Sequence, residues 1–365
     1  MTSDGDIHHM RTALALGRRG QGDAWPNPAV GSVVVSGDRV IGRGWTQPGG
    51  RPHAEAQALA HAGAAARGAT VYVTLEPCAH HGQTPPCAVA LVAAGVARVV
   101  VACRDPDPRV AGRGIAILRA AGVEVQTGVM QAMAARDLAG FFSRITGGRP
   151  ELLLKLATSF DGRIATASGQ SRWITGPDAR RTVHAMRARY DAVMIGAGTA
   201  RADDPMLDVR GMGAVRQPVR IVVSRRLALP RVSRLSASAR DIPLWLVHSG
   251  EAAPADITAW QDLGARTILC PLDAHGLDVT AALQALGAAG LNRVFCEWGG
   301  TLAASLLRAG VVDRLAGFTA GLALGSDARP GVGALGLDLL EGAPRFALED
   351  VRAIGGDVLS LWRRR

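Results

Sequence analysis

Three short stretches of this 365-residue chain carry side chains suited to metal chemistry: His53-Ala54-Glu55, Glu76-Pro77-Cys78 and Pro86-Cys87. One imidazole and two thiolates are three zinc ligands, and three leave a fourth tetrahedral position for water. Bound zinc draws the pKa of that water towards neutrality, so hydroxide becomes available as a nucleophile at cellular pH. Glu55, two residues past the histidine, is near enough to carry protons without binding the metal. The plainer reading, two core cysteines and a surface histidine, fits each residue alone but not the ordered set. Pro52, Pro77 and Pro86 each precede a ligand. Proline favours first helical turns, so all three ligands are expected at helix N-termini, where the local field favours thiolate.

His-x-Glu followed by two Pro-Cys pairs is the layout of zinc-dependent base deaminases, in which hydroxide attacks an amidine carbon and the glutamate protonates the departing amine. Nucleoside and nucleic-acid deaminases usually close the site with Cys-x-x-Cys. Here eight residues, Ala79-His80-His81-Gly82-Gln83-Thr84-Pro85-Pro86, separate the two cysteines. The string from Thr74 to Cys87 resembles the deaminase half of the bifunctional riboflavin-biosynthesis deaminase/reductases. Pro26-Asn27-Pro28-Ala29-Val30-Gly31 resembles that family's substrate-binding segment, which implies Asn27 as a base contact. Asp105-Pro106-Asp107-Pro108-Arg109-Val110-Ala111-Gly112-Arg113-Gly114 matches a further family stretch. Thr46 stands where relatives carry histidine, and Gln83 where they carry lysine or arginine, at positions that face substrate in the family. His80 and His81 either line the pocket or belong to an exposed loop.

The second half carries no GxGxxG after its first strand, so a Rossmann dinucleotide fingerprint is absent. Gly196-Ala197-Gly198-Thr199 and Gly299-Gly300-Thr301 each follow an apolar run and put backbone N–H groups where a phosphate can approach. Singly, each is more often a tight turn. The ordered set Lys155 to Arg163, Ser171-Arg172-Trp173-Ile174-Thr175, Arg187, Gly198-Thr199, Ala202 to Leu207 and Glu297 to Thr301 resembles the reductase half of the same family. That resemblance implies a dihydrofolate-reductase-like fold and an NADPH-dependent reduction of ribose to ribityl. It implies cofactor contacts from Ala157, Trp173, Thr199, Asp203, Ser224, Gly299, Gly300, Thr301, Leu302, Ala303, Ala304 and Ser305. It implies substrate contacts from Ser171, Arg187, Leu207, Arg210 and Glu297. Arg187 and Arg210 suit a 5′-phosphate, which guanidinium binds through two parallel hydrogen bonds, though forty arginines make a solvated side chain a serious competitor. Ser224 stands where relatives often carry aspartate. Lys155 is the chain's single lysine against those forty arginines. It interrupts an apolar run, which marks it as a catalytic candidate with Asp203 as its acidic companion.

These residues need a scaffold of alternating strands and helices. Apolar periodicity predicts helices over 7–18, 54–66, 87–94 and 114–121, with strands over 29–35, 40–45, 70–75, 98–103 and 123–127. Thr146-Gly147-Gly148-Arg149-Pro150 breaks both periodicities and marks a boundary near residue 147. Beyond it, strands are expected over 151–157, 192–195, 219–223, 244–247, 293–296 and 315–319, with helices over 177–189, 279–289 and 301–309. The fold class is therefore α/β. The resemblance refines it to a cytidine-deaminase-like three-layer domain over 1–147 and a dihydrofolate-reductase-like domain over 148–365.

Composition sets the outer bounds. Hydrophobic residues are 48% and charged residues 20%, enough for two cores and too apolar for wholesale disorder. Nothing approaches eighteen consecutive apolar residues, Asp4, Asp6, His8 and His9 occupy the place of a signal peptide's basic start, and five cysteines are thinly spread. These features point to the cytoplasm. Cys270 and Cys296 are assigned to packing, and His8, His9, His61, His184, His248 and His275 to surface or packing. The net charge of +10 admits a competing class, a tRNA-type base deaminase with an RNA-binding second domain. Aromatics at 4%, no RNA-binding motif and the long loop before Cys87 count against it. The leading expectation is a zinc- and NADPH-dependent enzyme acting on a pyrimidine ribose-phosphate, with no nucleic-acid or membrane partner. The family resemblance adds a homodimer or homotetramer.

Overall fold

The computed structural model describes residues 3–80, 85–213, 215–297 and 299–365. The chain divides into two compact units, Met1–Gly148 and Arg149–Arg365.

The first unit is built on a five-stranded sheet in the order Arg39–Trp45, Gly31–Ser36, Thr70–Leu75, Arg98–Cys103, Glu124–Thr127. Its first two pairings are antiparallel and its last two parallel. The register pairs Ser32 with Gly44 and Val34 with Gly42, so these four share one face and Gly31 and Val33 lie on the other. A Cβ on Gly44 would fall 2.1 Å from the Ala54 carbonyl oxygen, and one on Gly31 would fall 1.9 Å from that of Ala13. Helix Ala54–Ala62 therefore lies against one face and helix Asp4–Gly17 against the other, giving three layers. Val33, Val71, Val73 and Val99 to Val101 fill the core without exposure.

The helix expected over 54–66 stops at Ala62, because Gly63 turns to a φ of 56° and a single 3₁₀ turn, Gly63–Ala66, follows. Two short helices that the apolar pattern does not announce, Gln131–Asp137 and Ala139–Gly147, close the unit.

The second unit holds a nine-stranded sheet. Its order is Arg266–Leu269, Leu244–His248, Val219–Val223, Ala192–Gly196, Arg293–Glu297, Glu151–Ser159, Arg314–Ala320, Asp357–Arg364, Phe346–Ile354. The strands run parallel up to Arg314–Ala320, and the final hairpin is antiparallel. That hairpin is absent from the sequence expectation. Its outer strand, Phe346–Ile354, is largely exposed and carries a bulge between Leu348 and Asp350, so no clean alternation of apolar residues announces it. Helix Ala197–Asp203 follows Ala192–Gly196, and helix Gly300–Arg308 follows Arg293–Glu297 after the turn. Adjacent parallel strands thus feed two helix N-termini at the carboxyl edge of the sheet, where open α/β sheets bind their ligands.

Candidate active sites

In the first unit, His53 is the N-cap of helix Ala54–Ala62 and Cys87 the first residue of helix Cys87–Ala93. Cys78 departs from the expectation. It lies in the loop after strand Thr70–Leu75 and opens no helix. Its sulfur still meets one, because the Cys87 backbone N–H donates to Cys78 Sγ at 3.2 Å. His53 Nδ1 stands 3.3 Å from Cys87 Sγ and 3.7 Å from Cys78 Sγ, and the three ligand atoms all lie within 4.8 Å of one another. A tetrahedral zinc, with bonds of about 2.3 Å to sulfur and about 2.0 Å to nitrogen, needs its ligand atoms at roughly these separations. The residues fit the metal.

Hydrogen bonding from the Cys87 thiol, against an opposing effect of burial and with further help from His53, pulls the Cys78 thiol down to about 4. The same hydrogen bond, with burial, pushes the Cys87 thiol up, and the Cys78 contact raises His53. The three groups thus share protons that a cation would displace. Glu55, in the first turn after His53, is 4% exposed, and burial pushes its carboxyl up to about 7 while His53 opposes the shift. A carboxyl that titrates near neutrality is well placed to take and return a proton.

Asn27 joins this group. Its Nδ2 donates to the Gly50 carbonyl oxygen at 2.9 Å and lies 3.4 Å from His53 Nε2, on the side of the ring away from the sulfurs. Thr46 faces inward. Its hydroxyl accepts the Val30 N–H at 3.0 Å and is buried, just as the Thr74 hydroxyl accepts the Gly31 N–H at 3.1 Å. Both threonines therefore pin the Asn27 segment, and Thr46 presents no free hydroxyl to a ligand. His80 is half-buried with its Nδ1 enclosed and without a hydrogen-bond partner among the described residues; His81 and Gln83 lie outside them.

In the second unit, Lys155 and Glu297 are register partners on adjacent parallel strands, with Nζ 3.8 Å from Oε2. Arg187, the last residue of helix Pro177–Arg187, donates from Nε to the other Glu297 oxygen and from Nη1 to the Asp208 carbonyl oxygen at 2.7 Å. All three side chains are at most 16% exposed. Burial drives the Lys155 ammonium below its usual range, with Glu297 opposing and Arg187 assisting. Burial would raise Glu297, but the two cations outweigh it and hold the carboxyl low. Glu297 thus forms an ion pair with Lys155. Asp203 instead offers its backbone carbonyl to Arg172 Nη2 at 2.9 Å, which ties the Ser171–Trp173 stretch to the end of helix Ala197–Asp203.

The two glycine turns meet. A Cβ on Gly299 would lie 3.4 Å from Thr199 Oγ1, and one on Gly196 would lie 3.6 Å from Leu302. Gly196 and Gly299 are both N-caps without a side-chain cap among the described residues, so two neighbouring helices direct uncapped N-termini at this edge. This edge fits a dinucleotide pyrophosphate. Gly300, Thr301, Leu302, Ala303, Ala304 and Ser305 form the first turns of the second helix, and Ala157 lies on the strand that carries Lys155. Ser224 follows strand Val219–Val223 and is buried, its N–H given to the Val247 carbonyl oxygen. Trp173 is exposed, with the Arg180 guanidinium 4.5 Å from its ring centroid. Leu207 is buried in the core at a φ of 56°, and Arg210 is exposed and paired with Asp208 at 2.7 Å. Cys270 and Cys296 are buried, as packing residues would be.

Residues 3–103 match the family model of the cytidine and deoxycytidylate deaminase zinc-binding region, and residues 150–360 match that of the RibD C-terminal domain. The riboflavin biosynthesis protein RibD of Escherichia coli is 42% identical, covering 97% of this chain and 98% of its own. The Haemophilus influenzae RibD is 39% identical over 98% and 96%. The chain belongs to the RibD family. A solved Acinetobacter baumannii RibD superimposes with a TM-score of 0.89 at 38% identity over 99% of each chain. A Thermotoga maritima diaminohydroxyphosphoribosylaminopyrimidine deaminase/5-amino-6-(5-phosphoribosylamino)uracil reductase does so with 0.86 at 32% over 99% of each. RibD proteins are bifunctional enzymes of riboflavin biosynthesis, and this chain has both halves: a zinc-binding deaminase-type half and a reductase half that uses NADPH. No helix among the described residues is long and apolar enough to cross a membrane.

Sequence reasoning missed four residues that shape these sites. Gly50 through its carbonyl oxygen, and Glu76 and Thr74 through their side chains, hold the first site's loops. His184 accepts the Arg210 N–H at 3.4 Å beside the second. The only available signal was that three of them fall in or beside the quoted motifs.

Proposed function

We propose that residues 1–147 deaminate 2,5-diamino-6-(ribosylamino)-4(3H)-pyrimidinone 5′-phosphate, and that residues 148–365 reduce the ribose of the resulting 5-amino-6-(5-phosphoribosylamino)uracil to ribityl. The observation that carries this reading is the convergence of His53, Cys78 and Cys87 beside the buried carboxyl of Glu55. His53, Cys78 and Cys87 would hold zinc, which would supply a water acidified to near neutrality. Glu55, buried beside the ligands, accepts a proton and delivers it to the amino group as it leaves. Asn27, fixed by Gly50, offers its amide to the base edge.

In the reductase half the turns at Gly196–Thr199 and Gly299–Thr301, with Ala157, Trp173, Asp203 and Ser224, would hold NADPH, which would supply the hydride. Lys155 delivers or holds a proton at the ribose oxygens. Its lowered pKa eases proton release, and Glu297 orients it. Arg187 and Arg210 receive the 5′-phosphate, with Ser171 and Leu207 completing the wall.

Five free cysteines suit a reducing cytoplasm. The exposed apolar side chains Leu348, Val351 and Val358 on the edge hairpin suit self-association through the reductase half into a homodimer or homotetramer. The low aromatic content argues against a nucleic-acid partner. The test is NADPH oxidation in the presence of the diaminopyrimidinone phosphate, with product masses recorded, beside a gel shift with tRNA. Replacement of one amino group by oxygen and gain of two hydrogens, with no tRNA shift, is the expected result. A tRNA shift without NADPH oxidation would favour the editing class instead.

A further inference from the structure

We propose that Glu76 is a positioning residue of the metal centre, fastening the Cys78 loop to the N-terminus of helix Arg113–Ala120; this rests on the reading of His53, Cys78 and Cys87 as a zinc site. Glu76 is 3% exposed, two residues before Cys78, and neither a metal ligand nor near the position of Glu55 in the sequence. A buried carboxylate demands partners, since an unpaired charge removed from water is strongly disfavoured. Glu76 finds them in the backbone. Its Oε2 accepts the N–H groups of Gly112 at 3.0 Å and Asp105 at 3.3 Å, and its Oε1 accepts that of Ile115 at 3.2 Å.

Two of these donors belong to a helix end that has no cap of its own. Gly112, the N-cap of helix Arg113–Ala120, is left-handed and brings no side chain, and the helix has no acidic residue in its first turn. Glu76 supplies from another part of the chain what a local Asp or Ser would supply: an acceptor for the orphan N–H groups and a negative charge at the positive end of the helix. The Asp105 contact extends the grip to the segment after strand Arg98–Cys103, where Asp105 in turn accepts the Asp107 N–H at 2.8 Å.

The bracket is tight at its second point as well. A Cβ on Gly114 would fall 1.9 Å from the Pro77 carbonyl oxygen, so the residue between Glu76 and Cys78 lies directly on the helix backbone. The Glu76 N–H donates to the Cys103 carbonyl oxygen at 2.9 Å. On its other side Cys78 is held by the Cys87 helix, whose Cys87 N–H meets its sulfur and whose Ala88 N–H meets its carbonyl oxygen at 3.2 Å. Cys78 is the one ligand without a helix of its own, and Glu76 borrows one for it. Without the carboxylate, the sulfur would sample positions in which it and His53 Nδ1 no longer fit one tetrahedron, and metal would be held less firmly.

The test uses the full-length zinc-loaded chain and follows transfer of zinc to a coloured chelator, at a temperature where circular dichroism reports native structure. A second readout is the thiolate absorption of the cobalt-substituted protein. In Glu76→Gln the amide NH₂ replaces one acceptor oxygen and turns a donor towards backbone donors. We expect zinc to leave at least about tenfold faster and the cobalt band to change, with reductase activity on the deaminated intermediate retained. Asp6→Asn is the control for general destabilisation: this buried carboxylate of the same unit bonds Tyr72, Arg98 and Ser3, and its loss should lower the melting temperature with zinc release unchanged. Should Glu76→Gln fail to fold, Glu76→Asp, which keeps charge and acceptors one methylene short, decides by the same readouts. Wild-type zinc release and an unaltered cobalt band in a folded Glu76 variant would overturn the proposal, as would equal acceleration in Asp6→Asn. A wild-type chain that holds no zinc would instead overturn the metal-site reading on which it rests.

Discussion

Lys155 and Glu297 face each other across two parallel strands in exact register, and Glu297 divides its two oxygens between Lys155 and Arg187. Two buried cations thus share one buried anion. The cluster retains a positive charge and sits two residues before Gly299, at the edge where two helix N-termini converge. A phosphorylated substrate and a dinucleotide, both polyanions, are attracted to such an edge.

Glu297→Gln should therefore cost more than an ordinary surface change. The amide cannot neutralise either cation, so Lys155 and Arg187 are left buried against each other's charge. We expect a stability loss of about 3 kcal/mol, in the range for breaking a buried pair, and at least about tenfold slower reduction as Lys155 loses its orientation. Thermal melting and NADPH oxidation with the deaminated intermediate check the two parts separately. Unchanged reduction would mean that the triad is only structural.

Metal content tests the first site. One zinc per chain is expected in protein purified without chelator, and Cys87→Ala should lose it, since two ligands do not hold zinc against buffer competition. Elemental analysis decides. Full zinc in Cys87→Ala would displace this cysteine from the ligand set.

Glu55→Gln separates metal binding from chemistry. Because Glu55 stands beside the ligands without being one of them, the variant should retain zinc and lose deamination by at least about a hundredfold, a neutral amide being unable to accept and return the proton. Given the already deaminated intermediate, it should still oxidise NADPH at the wild-type rate. If both activities fell by similar factors, the two half-reactions would not be independent.

How far these sites were legible in the sequence follows from what fixes them. His53, Cys78, Cys87 and Glu55 could be read because metal chemistry dictates residue types, and proline and loop spacing mark their places. The pairing of Lys155 with Glu297 could not. It is set by which strand lies beside Glu151–Ser159 in the sheet, and a parallel neighbour enters after long crossovers that leave no local trace. Thr46 occupies a position associated with substrate, yet its hydroxyl turns inward to the Val30 N–H, because that buried donor has to be satisfied. Cys78 was expected to open a helix on the strength of Pro77; the loop instead borrows helix ends from both neighbours. The hairpin Phe346–Ile354 and Asp357–Arg364 escaped because an exposed edge strand need not alternate.

Lys155 itself should not tolerate replacement by arginine. In a chain with forty arginines, the single lysine stands at a buried position opposite Glu297. A lysine serving only as a cation for that carboxylate could be replaced by arginine with little consequence. The geometry argues otherwise. The Arg187 guanidinium already occupies one Glu297 oxygen, so a second planar guanidinium would have to fit the remaining side in a place where the lysine side chain is only 16% exposed. The proton matters as well. Burial lowers the Lys155 pKa, which moves its ammonium towards the range where it can give up a proton, whereas arginine keeps its proton under all ordinary conditions. Lys155→Arg should therefore keep the fold and the affinity for NADPH while slowing reduction by at least about tenfold, roughly 1.4 kcal/mol of barrier. Cofactor binding followed by fluorescence, beside single-turnover reduction of the intermediate, separates these effects. Reduction at the wild-type rate in Lys155→Arg would leave this lysine as a structural counter-charge and move the proton-transfer role to another residue of the cluster.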